Sequence, residues 1–251
     1  MAVSVDIKAL LAAGAHFGHK TSRWHPKMAK YIHSKRAGSH IIDLTQTVIG
    51  LEKALPFLTS TVAAGKQVLL VGTKRQSKDI VRAAAEEAKM PFVTERWIGG
   101  MLTNVQTVAQ RVKQLKDLET RMASGELAKR YNKLEVQRFQ EEIDDLNQKY
   151  GGIKDMNGKP GAVFVSDVLA DGIAIKEAKR LGVPVVAIVD SNANPDLVDY
   201  VIPANDDAIK SIQLIMDYAK QAIAEGVGAR KAETDKGESA EKEGVAKEGD
   251  K

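Results

Sequence analysis

Nine consecutive residues, Arg96-Trp-Ile-Gly-Gly-Met-Leu-Thr-Asn104, gather more chemistry than any other stretch of the chain. A guanidinium and an indole stand side by side, two glycines follow, and Thr103-Asn104 closes the run in front of a helical pattern. Arg96 offers a bidentate cationic fork and Trp97 a flat stacking face, tools that suit a phosphate backbone and an unstacked base. Gly99 and Gly100 permit positive φ and let another backbone come close. The same residues also make a tight strand-to-helix turn over a buried Trp, and the motif alone does not separate the two readings.

A second group lies between Gly14 and His40. All five histidines fall there, interleaved with Lys20, Arg23, Lys27, Lys30, Lys35 and Arg36 and with the aromatics Trp24 and Tyr31. No regular period runs through it, so a structured basic loop is expected. Its cations supply sequence-independent phosphate contacts, while His16, His19 and Trp24 can stack on bases or bond to sugar and base edges. His16 and His19 are also spaced as half of a metal site, but no matching second pair exists and no metal is expected. A third candidate is Gly72-Thr-Lys-Arg-Gln-Ser77, after the apolar run Gln67–Val71. It has neither the ending of a P-loop nor the glycines of a dinucleotide fingerprint. Lys74 and Arg75 remain binding candidates, because α/β sheets present ligand groups on the loops at their strands' carboxyl ends.

The composition fits a polyanion partner. Residues 1–102 carry 15 Lys and Arg against 7 Asp and Glu, whereas residues 151–226 carry 7 against 11. A basic half joined to an acidic half is the footprint of a protein that lays one face on a polyanion. The 251 residues contain no Cys, so disulfides and thiolate metal sites are excluded and a reducing compartment fits. Neither a signal-peptide pattern nor an apolar run of about 20 residues is present, and a soluble intracellular chain is expected.

The elements that must position these groups alternate as βα units. A helix is expected over Asp6–Ala13, capped from Ser4, and a strand over His40–Leu44. A helix follows over Thr45–Ala64, with Pro56 as a kink. Strands at 67–71, 91–93, 162–165, 183–189 and 198–202 alternate with helices at 78–89, 171–181 and 208–225. Asn205-Asp-Asp207 reads as a helix cap rather than a set of metal ligands. From Thr103 the pattern changes: Val105, Val108, Val112, Leu115 and Met122, then Phe139, Ile143 and Leu146, recur at three- and four-residue steps. An antiparallel helical hairpin whose apolar seam is used up internally is expected there. Beyond Gly226 almost no bulky apolar residue remains, so a disordered tail over 227–251 is expected.

Seven ordered segments resemble the bacterial small-subunit ribosomal protein two family. They are Gly14–His19, Trp24–Met28, His40–Leu44, Val71–Arg75, Arg96–Asn104, Asp190–Pro195 and Ile202–Ala208. Ser191 stands where family members often carry Thr, which keeps the hydroxyl. The resemblance implies an α/β, flavodoxin-like three-layer fold with a five-stranded parallel sheet in the order two-one-three-four-five. It implies a coiled-coil hairpin inserted after the third strand. The expected parts are a body (1–102 and 152–226), a hairpin insertion (103–151) and the tail. It further implies a cytoplasmic, non-catalytic protein without cofactor or stable homo-oligomer, bound to small-subunit rRNA where head meets body and helping to recruit ribosomal protein one, which captures messenger RNA. The competing class is a nucleotide-binding α/β enzyme, for which no nucleophile–base pair or phosphate loop is found.

Overall fold

The computed structural model describes residues 5–248. Helix α1 (Ile7–Ala12) is capped by Asp6, whose carboxylate accepts from the Lys8 N–H at 2.8 Å. Ser4, expected as the cap, lies outside the described residues. The basic segment that follows is not a loop but a small antiparallel sheet. Its strands β1 (Phe17–Lys20), β2 (Ile32–Arg36) and β3 (Ser39–Ile42) lie in the order β1-β3-β2, with 3-10 turns at Thr21–Arg23 and Pro26–Tyr31. Four- and five-residue strands with little apolar alternation leave no periodic signal, so only backbone pairing reveals them. Ala37 and Gly38 join β2 to β3 with φ of 49° and 78°, the left-handed pair a two-residue hairpin turn requires.

Helix α2 (Leu44–Ala63) starts from an Asp43 cap and carries Pro56 in its interior. Then come β4 (Val68–Val71), α3 (Lys78–Ala88) and β5 (Phe92–Val93). Three helices are inserted next: α4 (Val105–Ala123), α5 (Glu126–Arg130) and α6 (Lys133–Tyr150). The alternation resumes with β6 (Ala162–Val165), α7 (Gly172–Arg180), β7 (Val185–Val189), β8 (Tyr200–Pro203) and α8 (Ile209–Glu248). The second sheet is parallel throughout and ordered β5-β4-β6-β7-β8. Counted within that sheet, this is the expected two-one-three-four-five. The His40–Leu44 segment belongs instead to the antiparallel sheet as β3, so the insertion follows the second parallel strand and not the third.

Every residue of β4, β6 and β7 is buried, as a parallel sheet covered on both faces demands. Alternate residues feed two cores. Leu70, Phe164 and Ile188 join the side chains of α2, α3 and α8, while Leu69, Val163 and Val165 join α7, Trp97 and Ile153. The inserted helices α4 and α6 share a small core of Leu115, Leu118, Ile143 and Leu146. Their apolar stripe is not confined to that core: Val108 and Tyr150 pack on the body, and Leu134 is exposed. Helix α8 continues past Gly226, where composition places the start of the tail; Lys, Glu and Ala are strong helix formers by intrinsic propensity.

Helix α2 rides directly on β8 at Gly50, where a Cβ would stand 2.4 Å from the Val201 carbonyl oxygen. Gly50→Ala is therefore expected to cost about 1–3 kcal/mol through overpacking, read as a lower urea midpoint. An unchanged midpoint would mean that α2 can lift from the strand.

Candidate nucleic-acid interface

In open α/β sheets, ligands bind in the crevice outside the carboxyl ends of the strands. Here the chain docks its own N-terminal sheet at that edge, on the exits of β7 and β8. The loops after β7 and β8 present the docking groups. The His19 N–H donates to Ser191 Oγ at 2.8 Å and the His25 N–H to the Ser191 carbonyl at 2.7 Å. The Asn205 N–H reaches the Ala15 carbonyl at 3.0 Å, and its side-chain amide reaches the Gly14 carbonyl at 3.2 Å. Gly18 makes the approach possible, since a Cβ there would meet Ser191 Oγ at 2.8 Å.

Beneath this contact lies an ionic cluster. Lys74 Nζ stands 3.0 Å from Asp167, 2.8 Å from Asp206 and 2.7 Å from Asp207. His19 faces Asp190 through Nδ1 at 3.2 Å and Asp207 through Nε2 at 3.3 Å. Burial opposes the charge on Lys74, but its hydrogen bonds to Asp206 and Asp207 outweigh that and raise its pKa. The hydrogen bond to Asp190 likewise raises His19. Burial and the repulsion of Asp167 and Asp190 push Asp206 up to about 7, despite Lys74. Asp171, buried and bonded to the Thr73 hydroxyl at 2.7 Å, is pushed up to about 6. Lys74 is thus bonded within this cluster, with its side chain largely covered. Side-chain ligand atoms of His19, Asp206 and Asp207 lie within 4.8 Å of one another, a donor set a cation could use. The Lys74 ammonium already bonds both aspartates, and His16 stands outside the set.

The Arg96–Asn104 turn is built around one carboxylate. Glu177 of α7, 9 % exposed, accepts from Trp97 Nε1 at 3.1 Å and the Gly100 N–H at 2.7 Å on one oxygen. Its other oxygen accepts from the Leu102 N–H at 3.0 Å and from the Thr103 N–H and hydroxyl, each at 3.2 Å. Burial alone would raise this carboxyl; the donors from Gly100, Trp97, Leu102 and Thr103 outweigh it and hold the pKa below the ordinary value. Trp97 is 6 % exposed and is core rather than a stacking surface. Gly100 takes φ +94°, which turns its N–H inward, whereas Gly99 borders open space. Arg96 and Asn104 stay exposed at the surface of the turn.

Around these two networks the surface carries exposed cations. Lys20, Arg23, Lys27, Lys30, Lys35 and Arg36 of the N-terminal sheet are exposed, as are Arg75 and Arg96 on the exits of the neighbouring strands β4 and β5. Lys27 pairs with Asp196 at 2.5 Å, and that bond depresses the Asp196 pKa. Among the described residues, Arg75 and Arg96 have no ion-pair partner. Trp24 is half-buried, stacked on His40 at 5.0 Å and overlain by Lys35 at 5.7 Å. His16 is half-buried against Phe17. Glu177 escapes sequence reading, although it falls on the buried face of α7 between Ala174 and Ala178, where a carboxylate needs donors. Asp167 and the fully buried His40 escape it too.

Comparison with known proteins gives one consistent result. A sequence model of the family described as Ribosomal protein S2 matches residues 10–226. Small ribosomal subunit protein uS2 of Roseiflexus sp. (strain RS-1) is 49 % identical over 228 residues, covering 91 % of this chain and 87 % of that protein. The uS2 of Dehalococcoides mccartyi (strain BAV1) is 48 % identical, with 91 % and 93 % covered. That of Thermus thermophilus is 46 % identical, with 91 % and 89 % covered.

The two networks respond to different perturbations. Trp97→Ala is expected to cost about 3–5 kcal/mol of folding stability, and Arg96→Ala less than about 0.5 kcal/mol. Equal losses in thermal melts would show that Arg96 also braces the turn. Because the Glu177 pKa is depressed on folding, its contribution stands above about pH 4.5 and is lost as pH falls through the folded value. Asp206 has the opposite sign: its raised pKa makes the folded state lose stability as pH rises from about 4 to about 7. Asp206→Asn should therefore gain on the wild type between about pH 5 and about pH 8 in urea titrations. A constant difference would show that Asp206 does not titrate in that window.

Proposed function

Since this chain belongs to the ribosomal protein S2 family, we propose that it is a small-subunit constituent that lays the outer face of its N-terminal sheet on rRNA. Arg75 and Arg96 extend that face on the body. The observation that carries this reading is the division of charge at the carboxyl edge of the sheet. Lys74 and His19 are consumed by Asp167, Asp190, Asp206 and Asp207, while eight other cations face solvent. Side chains on that face make phosphate contacts, and the Ala37-Gly38 hairpin tip carries Lys35 and Arg36 forward.

In this reading the contacts lie where the head of the small subunit meets its body, and the protein works in the cytoplasm as part of the translating ribosome. The body, residues 1–102 and 152–226, carries the rRNA face. The inserted residues 103–151, with nearly balanced charge, serve protein neighbours, and recruitment of ribosomal protein one belongs with this role. A nucleotide-binding enzyme is disfavoured, because Lys74, the cation at the exit of β4, is bonded to Asp167, Asp206 and Asp207 rather than open to a phosphate.

Phosphate-led binding has a salt signature. Replacing Lys20, Lys30 and Arg36 together by Ala should flatten the log–log salt dependence of rRNA binding by about 0.7–0.9 for each phosphate no longer neutralised. An unchanged slope would remove the N-terminal sheet as the binding face. Gly99→Ala is a second test: open space around Gly99 predicts an unchanged melting temperature. Weaker rRNA binding by that folded variant is expected if RNA packs against the Gly99 backbone; equal binding would place the RNA elsewhere.

A further inference from the structure

An apolar groove of about 450 Å³ runs beside α4, starting from Met101, Leu102 and Thr103 of the turn before it. Its floor is made by Leu102, Val108, Val112, Ile153, Met156 and Leu181. Its lining includes four lysines, Lys113, Lys116, Lys154 and Lys159, and no acidic residue. Val105, also lining it, is 58 % exposed, a large apolar side chain left at the mouth. Along α4 the lining recurs at Val105, Val108, Ala109, Val112, Lys113 and Lys116, the same-face spacing of a helix. That stretch spans about 16 Å, roughly three turns.

We propose that this groove docks an acidic amphipathic helix of a protein partner. An apolar floor flanked by cations matches a helix with an apolar stripe bordered by carboxylates, the helix-in-groove mode of recognition. RNA fits it poorly, because three of its four lysines are already bonded within the chain and phosphates would leave the apolar lining uncovered. Of the four cations, Lys116 is held by Asp155 at 3.1 Å and Lys154 by Glu119 at 2.6 Å, while Lys159 donates to the Leu181 carbonyl. Lys113 makes no described ion pair and is exposed, so it is the cation most available to an arriving carboxylate. The groove lies where the inserted helices meet the body, so its occupant would also fix the angle between them.

The test uses the full chain and a fluorescein-labelled synthetic helical peptide of about three to four turns, with Leu on one face and Glu on both flanks. Saturable binding by anisotropy is expected, and none for the same peptide with Lys in place of Glu. Ala109→Trp, which fills the groove from an exposed position, should weaken binding at least about tenfold, and Lys113→Glu about fivefold. Thermal melts of both variants check that they fold. Absence of saturable binding, equal binding of the Lys peptide, or indifference to both folded variants would overturn the proposal. So would displacement of the peptide by an rRNA fragment that itself loses affinity with Ala109→Trp, since the groove would then be an RNA surface.

Discussion

Five hydrogen-bond donors converge on the Glu177 carboxylate, and the shape of the Arg96–Asn104 turn follows from them. A buried carboxylate without donors would cost several kcal/mol. With five, it pins backbone and side chains of four residues of the turn to α7. The indole is drawn inward, Gly100 is forced to positive φ, and Arg96 is left outside. The start of α4 is anchored by the same contacts, because Leu102 and Thr103 immediately precede its Asn104 cap. One carboxylate thus fixes both the outward guanidinium and the root of the inserted helices.

The carboxyl edge of the parallel sheet works by a second, partly buried ionic network of opposite character. There a cation, Lys74, gathers carboxylates from the exits of β6 and β8, and His19 brings in the exit of β7. The geometry that gives other α/β sheets a ligand crevice is used here to dock the chain's own N-terminal sheet. Burial, together with the repulsion of Asp167 and Asp190, pushes Asp206 towards neutrality, while its hydrogen-bonded carboxylates hold Lys74 charged. Among the described residues, Lys27 is the one cation of the N-terminal sheet and its turns with an ion pair outside this network, to Asp196.

The parallel sheet is legible in the sequence because Val68–Val71, Ala162–Val165 and Val185–Val189 are uninterrupted apolar runs bounded by glycine, proline or polar turns. The family is legible from seven short motifs in order. The N-terminal sheet is not, because Phe17–Lys20 and Ile32–Arg36 carry no period and are defined by backbone pairing alone. The pairing of Lys74 is not legible for a different reason: its Asp206 partner is 132 residues away, and nothing local announces the pair. Trp97 stays ambiguous until its partner, 80 residues distant, is in place. Patterns within one element are readable, whereas the pairing of charges between elements requires the fold.

Cations near the carboxyl edge therefore divide into one committed inward and a set presented outward. Amine-reactive labelling of the protein, free and within assembled small subunits, with modified sites read by mass spectrometry, tests that division directly. Lys20, Lys30 and Lys35 should label readily in the free protein and be protected after assembly, while Lys74 should resist labelling in both states. A Lys74 that labels freely in isolation and becomes protected on assembly would contradict the division, as would Lys20, Lys30 and Lys35 labelling equally in both.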